Sequence, residues 1–368
     1  MSNRFLKPSI NWLFAFVPIT VILEHAGKMP PPVIFFSAAL AIVPIAAMIV
    51  HATEQLATRT GDAIGGLLNA TFGNAPELIL AMVALHAGYL DMVRASIIGA
   101  ILGNLLLALG VAFLLGGLRF HDQEFNPAGA RAYSTMMLLA AVSLVVPSAF
   151  SRYFSPADTI RQEKMLNLGI AALLLLAYGL YLLFSLKTHP KTFASVKKKR
   201  GGDDEHHEGK PWGMPRAIGS LIGASVLAAW MSEILVGAAE GTGKALGMSD
   251  VFIGIVFLAI VGGAAESGSA IAMGRKNKVD LSVGIALGSS IQIALFVAPV
   301  LVLASIFVAP APLELSFGRA EVGSLFIAVL LGTVVCGDGH ANWYKGVQLI
   351  TLYAIFALMF YFMPELKH

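Results

Sequence analysis

Stretches of about twenty predominantly apolar residues recur along the whole chain, and nothing else in it constrains the fold as strongly. They run approximately over 9–27, 33–57, 63–87, 92–116, 132–151, 165–186, 217–240, 250–273, 280–308, 320–337 and 343–363. A helix needs about 20 residues to cross a hydrocarbon layer about 30 Å thick. Inside lipid every backbone N–H and C=O must be satisfied internally, so each stretch is expected as a helix. The fold class expected is therefore all-α: a polytopic membrane protein of about 11 transmembrane helices. Of the 368 residues, 57% are hydrophobic and only 13% are charged. A soluble domain carries roughly 25% charged residues, so this chain could not cover a water-exposed surface. Cys336 is the single cysteine, which excludes a disulfide scaffold. A net charge of +3 leaves no basic field for nucleic acid. Neither a Walker motif nor a dinucleotide fingerprint occurs, so no nucleotide cofactor is expected, and no nucleophile–base set suggests an enzyme. The first stretch lacks a good cleavage pattern and reads as a retained helix.

With the N-terminus in the cytosol, about two-thirds of the 25 Lys and Arg residues fall on the cytosolic side and the C-terminus lies outside. The one substantial polar segment, about 187–216, is then cytosolic. It reads KKKRGGDDEHHEGK from Lys197. Asp203, Asp204, Glu205, His206, His207 and Glu208 are residue types that ligate cations, although they lack the spacing of an EF-hand loop. The segment reads either as a solvated linker or as a regulatory cation sensor. It divides the chain into an N-terminal segment with a leading helix (1–32), a first five-helix repeat (33–186), the linker (187–216) and a second five-helix repeat (217–368). Helix 280–308 is too long for one straight span, and Pro299 offers a break.

The two halves repeat. GGLLNATFGNAPELILA from Gly65 aligns without gaps to GIVFLAIVGGAAESGSA from Gly254. Glu77 meets Glu266, Gly73 meets Gly262, Asp91 meets Asp280 and Gly99 meets Gly288. The alternation of spans makes the copies inverted. Inverted repeats with Gly- or Pro-interrupted helices are how many secondary transporters build a site near the midplane.

Glu77 and Glu266 lie within apolar helices, where a charge costs roughly 3 kcal/mol on insertion scales. Each must face protein, water or an ion. Pro76 disturbs the turn behind Glu77 and can free carbonyls near Phe72 and Gly73. Gly262 and Gly263 must loosen the equivalent turn without a proline. Two facing carboxylates are neutralised by one divalent cation or by protons, but not well by both together. That competition is the chemical basis of exchange. Glu54 and Glu233 are expected as proton relays or gates. Asn74, Asn104, Ser289, Ser290 and Gln292, with Gly73, Gly262 and Gly263, are expected to line the pathway. Asp91, Asp250 and Asp280 read as N-caps.

GNAPELI at Gly73–Ile79 resembles the first signature of the calcium/proton antiporter (CAX) family, within the cation/calcium exchanger superfamily. GGAAES at Gly262–Ser267 resembles the second, with Gly263 where the family usually has Asn. ALGSSIQIALFVAP (Ala286–Pro299) and DGHANWYKG (Asp338–Gly346) are also similar to the family's later helices. The resemblance implies a leading helix plus two inverted halves, with Glu77 and Glu266 as the calcium and proton site. It implies transport of Ca2+ and H+ by alternating access, and it allows a homo-oligomer in membrane lipid. Sodium exchangers of the superfamily usually carry Thr-Ser where this chain has Asn74 and Ala75, which favours protons as the counter-ion. Exchange coupled to sodium or another cation, and a passive cation channel, are the alternatives. Compact loops point to a prokaryotic plasma (inner) membrane.

Overall fold

The computed structural model describes residues 10–27, 29–60, 62–153, 156–193 and 212–363. The chain winds through α1 (Ile10–His25), α2 (Pro31–Thr60), α3 (Asp62–Phe72), α4 (Ala75–His86), α5 (Leu90–Phe120), α6 (Pro127–Tyr153) and α7 (Pro156–Leu182). The second half supplies α8 (Met214–Leu246), α9 (Asp250–Gly262), α10 (Ala264–Arg275), α11 (Val279–Val308), α12 (Arg319–Cys336) and α13 (Trp343–Tyr361). Among the described residues, eight helices are long and apolar enough to cross a membrane. A ninth span forms if α9 and α10, bent by 62° at their junction, are taken together. α1 and α4 are apolar but shorter. Length and composition thus do not establish the expected eleven, because the breaks leave helices too short to count alone. The acidic and histidine-rich run from Asp203 to Glu208 lies outside the described residues.

The breaks sit where the repeat puts them. Gly73 and Asn74 separate α3 from α4, and Gly263 separates α9 from α10. Pro76 does not make the first break itself. It occupies the first turn of α4, where its missing N–H costs nothing. α11 runs unbroken past Pro299. A π-helical turn at Ile293–Val297 absorbs the irregularity just ahead of the proline, in place of the expected break. Gly103–Ala108 in α5 is a second π-helical turn, at nearly the same place in the first half. The three aspartates sit in first turns and are not N-caps. Ser249 caps α9 by accepting from the Phe252 N–H, while Asp91 pairs with Arg94 and Asp280 accepts the Asn126 N–H.

Packing interleaves the halves. α2 and α8 run against each other over the longest shared length of any helix pair, and α5 crosses α9, α10 and α13. The α5–α9 crossing is backbone on backbone: a Cβ on Gly99 would lie 2.2 Å from the Ile255 carbonyl oxygen, and one on Gly254 2.5 Å from that of Met92. Two three-residue strands, β1 (Asp122–Glu124) and β2 (His340–Asn342), pair antiparallel at one end of the bundle. Asp338 and His340, both exposed, brace this ribbon: Lys345 Nζ donates to Asp338 and His340 Nδ1 lies 3.1 Å from Asp122.

Candidate functional site

The two helix breaks face one another across the bundle centre. Glu77 stands in the first turn of α4 and Glu266 in the first turn of α10, each 9% exposed. A half-helix N-terminus presents unsatisfied N–H groups and a partial positive charge, which suits a carboxylate at this depth. Each glutamate leans on the other half's break. A Cβ on Gly262 would lie 3.0 Å from Glu77 Cγ, and one on Gly73 would lie 3.5 Å from Glu266 Oε1. At Gly262 the fit against Glu77 is tight enough to favour glycine, whereas at Gly73 the close neighbour of a Cβ would be the Asn69 carbonyl, at 2.7 Å. Glu266 is an electrostatic neighbour of Glu77.

Around this pair the donors are few. Ser289 hydrogen-bonds Glu266 through its side chain. Asn74 Nδ2 donates to the Ser289 carbonyl at 3.3 Å. Both carboxylate oxygens of Glu77, Oε2 of Glu266 and Oδ1 of Asn74 are buried with no hydrogen-bond partner among the described residues. Buried polar atoms are nearly always partnered, so a cluster of orphan acceptors calls for a cation or protons. Among the described residues no group of three or more His, Cys, Asp or Glu could hold a metal ion. The donor set is two carboxylates with amide oxygen, which fits a hard cation and not zinc or copper.

Two spaces of unequal size border the two glutamates. A cavity of about 460 Å³ is lined by Glu54, Gly73, Tyr178, Glu266, Ser289 and Gln292 among others. It lies toward the bundle end formed by Phe125, Asn126 and Phe193, next to the ends of the central linker. On the other flank Glu77 borders a void of only about 20 Å³, walled by Leu80, Ala81, Ile97 and Leu301.

The remaining expected residues scatter more widely. Gly263 faces Glu77, and Asn104 stands beside it: a Cβ at 263 would be 3.6 Å from Glu77 Oε1 and 3.9 Å from Asn104 Oδ1. The π-helical turns of α5 and α11 begin at or beside Asn104 and Gln292, whose amide oxygens lie near the Gly263 and Gly73 breaks. Ser290 is fully buried and donates to the Ala286 carbonyl of its own helix. Glu54 is exposed on the large cavity, 3.7 Å from His51. Glu233 is exposed and lines neither of these spaces. Sequence reasoning missed the aromatic wall of the cavity, Tyr133, Tyr178, Tyr181 and Phe193. An aromatic in an apolar helix carries no signal that separates cavity wall from lipid face.

Comparison with known proteins agrees with this architecture. The model of the sodium/calcium exchanger protein family matches residues 31–187 and 216–362. The chain is 38% identical over 362 residues to the Ca(2+)/H(+) antiporter of Aphanothece halophytica, covering 96% of each. It is 40% identical over 348 residues to the Ca(2+)/H(+) antiporter ChaA of Bacillus subtilis (strain 168), covering 94% of this chain and 96% of that one. The solved structure of native YfkE superposes with a TM-score of 0.81 at 38% identity, over 96% of this chain and 100% of that one. With a family model spanning both halves and full-length relatives at this identity, the chain belongs to the sodium/calcium exchanger protein family, on its calcium/proton antiporter branch.

Proposed function

We propose that this protein exchanges cytosolic calcium for external protons by alternating access at Glu77 and Glu266. One observation carries the reading: two carboxylates, one from each half, meet at helix breaks with three of their oxygens buried and unpartnered among the described residues. Like charges held together in a low dielectric are neutralised by one divalent cation or by protons. Oxygen-only donors suit calcium. The relatives named as Ca(2+)/H(+) antiporters perform the exchange that this chemistry suits.

The cavity that reaches Glu266 lies at the end of the bundle that the charge asymmetry assigns to the cytosol. Calcium enters there past Glu54 and is held by the glutamate pair and Asn74. A rearrangement then closes this cavity and opens the far flank of Glu77. Calcium leaves, protons take its place, and the neutralised site returns. The bacterial relatives support placement in an inner membrane.

The test is transport into vesicles containing the purified protein. Calcium flux is expected to follow an imposed pH gradient and to ignore a sodium gradient. Dependence on sodium alone would remove protons as the counter-ion, and conductive calcium current without proton counterflow would make the protein a channel.

Gly263→Asn gives a second expected result. The backbone here has φ −79°, which any residue adopts, and a Cβ meets only the Ala259 carbonyl closely, at 3.2 Å. The variant should fold as well as the parent. Its amide oxygen would join the donors around Glu77 and raise apparent calcium affinity by roughly three- to tenfold. Calcium-concentration curves in the same vesicles check this, and an unchanged curve would mean that position 263 does not face the ion.

A further inference from the structure

α10, which carries Glu266 in its first turn, is gripped at its far end by the other half of the protein. Gln123 in β1 is 1% exposed. Its Nε2 donates to the Gly274 carbonyl at 3.0 Å and to Asn277 Oδ1 at 2.9 Å. Arg119 Nη1 donates to the Arg275 carbonyl at 3.3 Å, and the Asn126 N–H to Asp280 Oδ1 at 2.7 Å. The carbonyls at a helix C-terminus have no partner within the helix. Here two of them accept from side chains of the first half, Arg119 in the last turn of α5 and Gln123 in β1 just beyond it. Glycines make the fit possible: a Cβ on Gly116 would lie 2.1 Å from Gln123 Oε1, and one on Gly274 2.7 Å from the Ala112 carbonyl. Pairing of β1 with β2 ties the grip to the start of α13.

The alignment that pairs Glu77 with Glu266 pairs Gly88 with Asn277, and both have positive φ, 85° and 58°. It also pairs Gln123 with Pro312. The turn after α4 is met by the chain that follows α11: His86 Nδ1 lies 3.0 Å from the Val308 carbonyl, and Gly88 faces the Pro310 ring. Each half therefore clasps the half-helix that carries the other half's glutamate, but among the described residues only the clasp on α10 has an amide clamp.

We propose that Gln123, remote from the ion, is a positioning residue for Glu266. Gly274 is eight residues beyond Glu266, about 12 Å at 1.5 Å per residue. A helix of this length is stiff, and the break at Gly263 uncouples α10 from α9. A displacement at Gly274 is therefore carried to the carboxylate. Loss of the clamp leaves the glutamate present but misplaced, so calcium binding weakens while turnover of the loaded protein persists.

The inference rests on the paired-glutamate reading, and the experiment separates the two. Gln123→Met keeps the shape and removes both donors. Asn277→Gly keeps the left-handed backbone and removes one acceptor. Each is reconstituted in vesicles alongside Glu266→Gln, and calcium flux is measured against calcium concentration at matched amounts of folded protein. KM is expected to rise roughly tenfold in Gln123→Met, and less in Asn277→Gly, with Vmax within about a factor of three; removing a residue that orients a metal ligand typically costs this much affinity. A purely structural role predicts less folded protein with an unchanged KM, and that result overturns the proposal. If Gln123→Met does not fold, Asn277→Gly decides in the same way. Wild-type exchange in Glu266→Gln would bring down the paired-glutamate reading and this inference with it. A dead Glu266→Gln beside unchanged KM values removes this inference alone.

Discussion

Glu77→Gln should reduce calcium flux by roughly 100-fold or more, the order expected when a charged ligand leaves a hard-cation site in a low dielectric. Glu266→Gln should do the same, and the double variant should be no worse than either alone, since one carboxylate cannot balance a divalent charge. Neither variant should fold less well. The oxygens of Glu77 make no hydrogen bond to another residue among those described, and an amide oxygen can take the place of its own carboxylate toward the Glu77 N–H, so Gln costs the empty protein little. Thermal unfolding in detergent checks this directly. Calcium at about 100 times its dissociation constant should stabilise the parent by about 2.7 kcal/mol and leave both variants unmoved. A folded Glu77→Gln protein that exchanges calcium normally would remove the site.

Gly99→Val should be among the most damaging changes outside the site. The methyl positions it adds meet the Ile255 backbone, with the carbonyl oxygen 2.2 Å and Cα 2.5 Å from the new Cβ. Gly254→Val meets the Met92 carbonyl at 2.5 Å and Ala95 Cβ at 2.7 Å from the other side of the same crossing. Backbone in two packed helices cannot step aside as a flexible side chain can. The expected cost is about 3 kcal/mol or more, seen as loss of monodisperse protein in detergent and a lowered unfolding temperature. Gly179→Ala is the matched control, because no atom lies within 4 Å of its added Cβ. Equal behaviour of Gly99→Val and Gly179→Ala would contradict the α5–α9 crossing.

These two effects differ in how far they could be read in advance. Glu77 and Glu266 are legible because burying a charge in a long apolar run is expensive, and that expense is written in the run itself. Gly99 was visible only as a matched glycine in the repeat. That its partner is the Ile255 backbone is a fact about two helices distant in sequence. Gln123 carried no signal at all, since a glutamine between helices is ordinary in any loop.

Glu54 and Glu233 show the limit most clearly. Both are expected as proton relays or gates, yet Glu54 lines the large cavity and Glu233 does not. Local chain properties were enough to determine the helical membrane class and to single out Glu77 and Glu266 as buried acids: run length, hydropathy and the expense of a buried charge act within one segment. Tertiary structure alone decided where the large cavity lies, that Asn104 and Gln292 come to the two breaks, and which residues hold the far end of α10. Those depend on how helices from opposite halves cross, and no single segment contains that information.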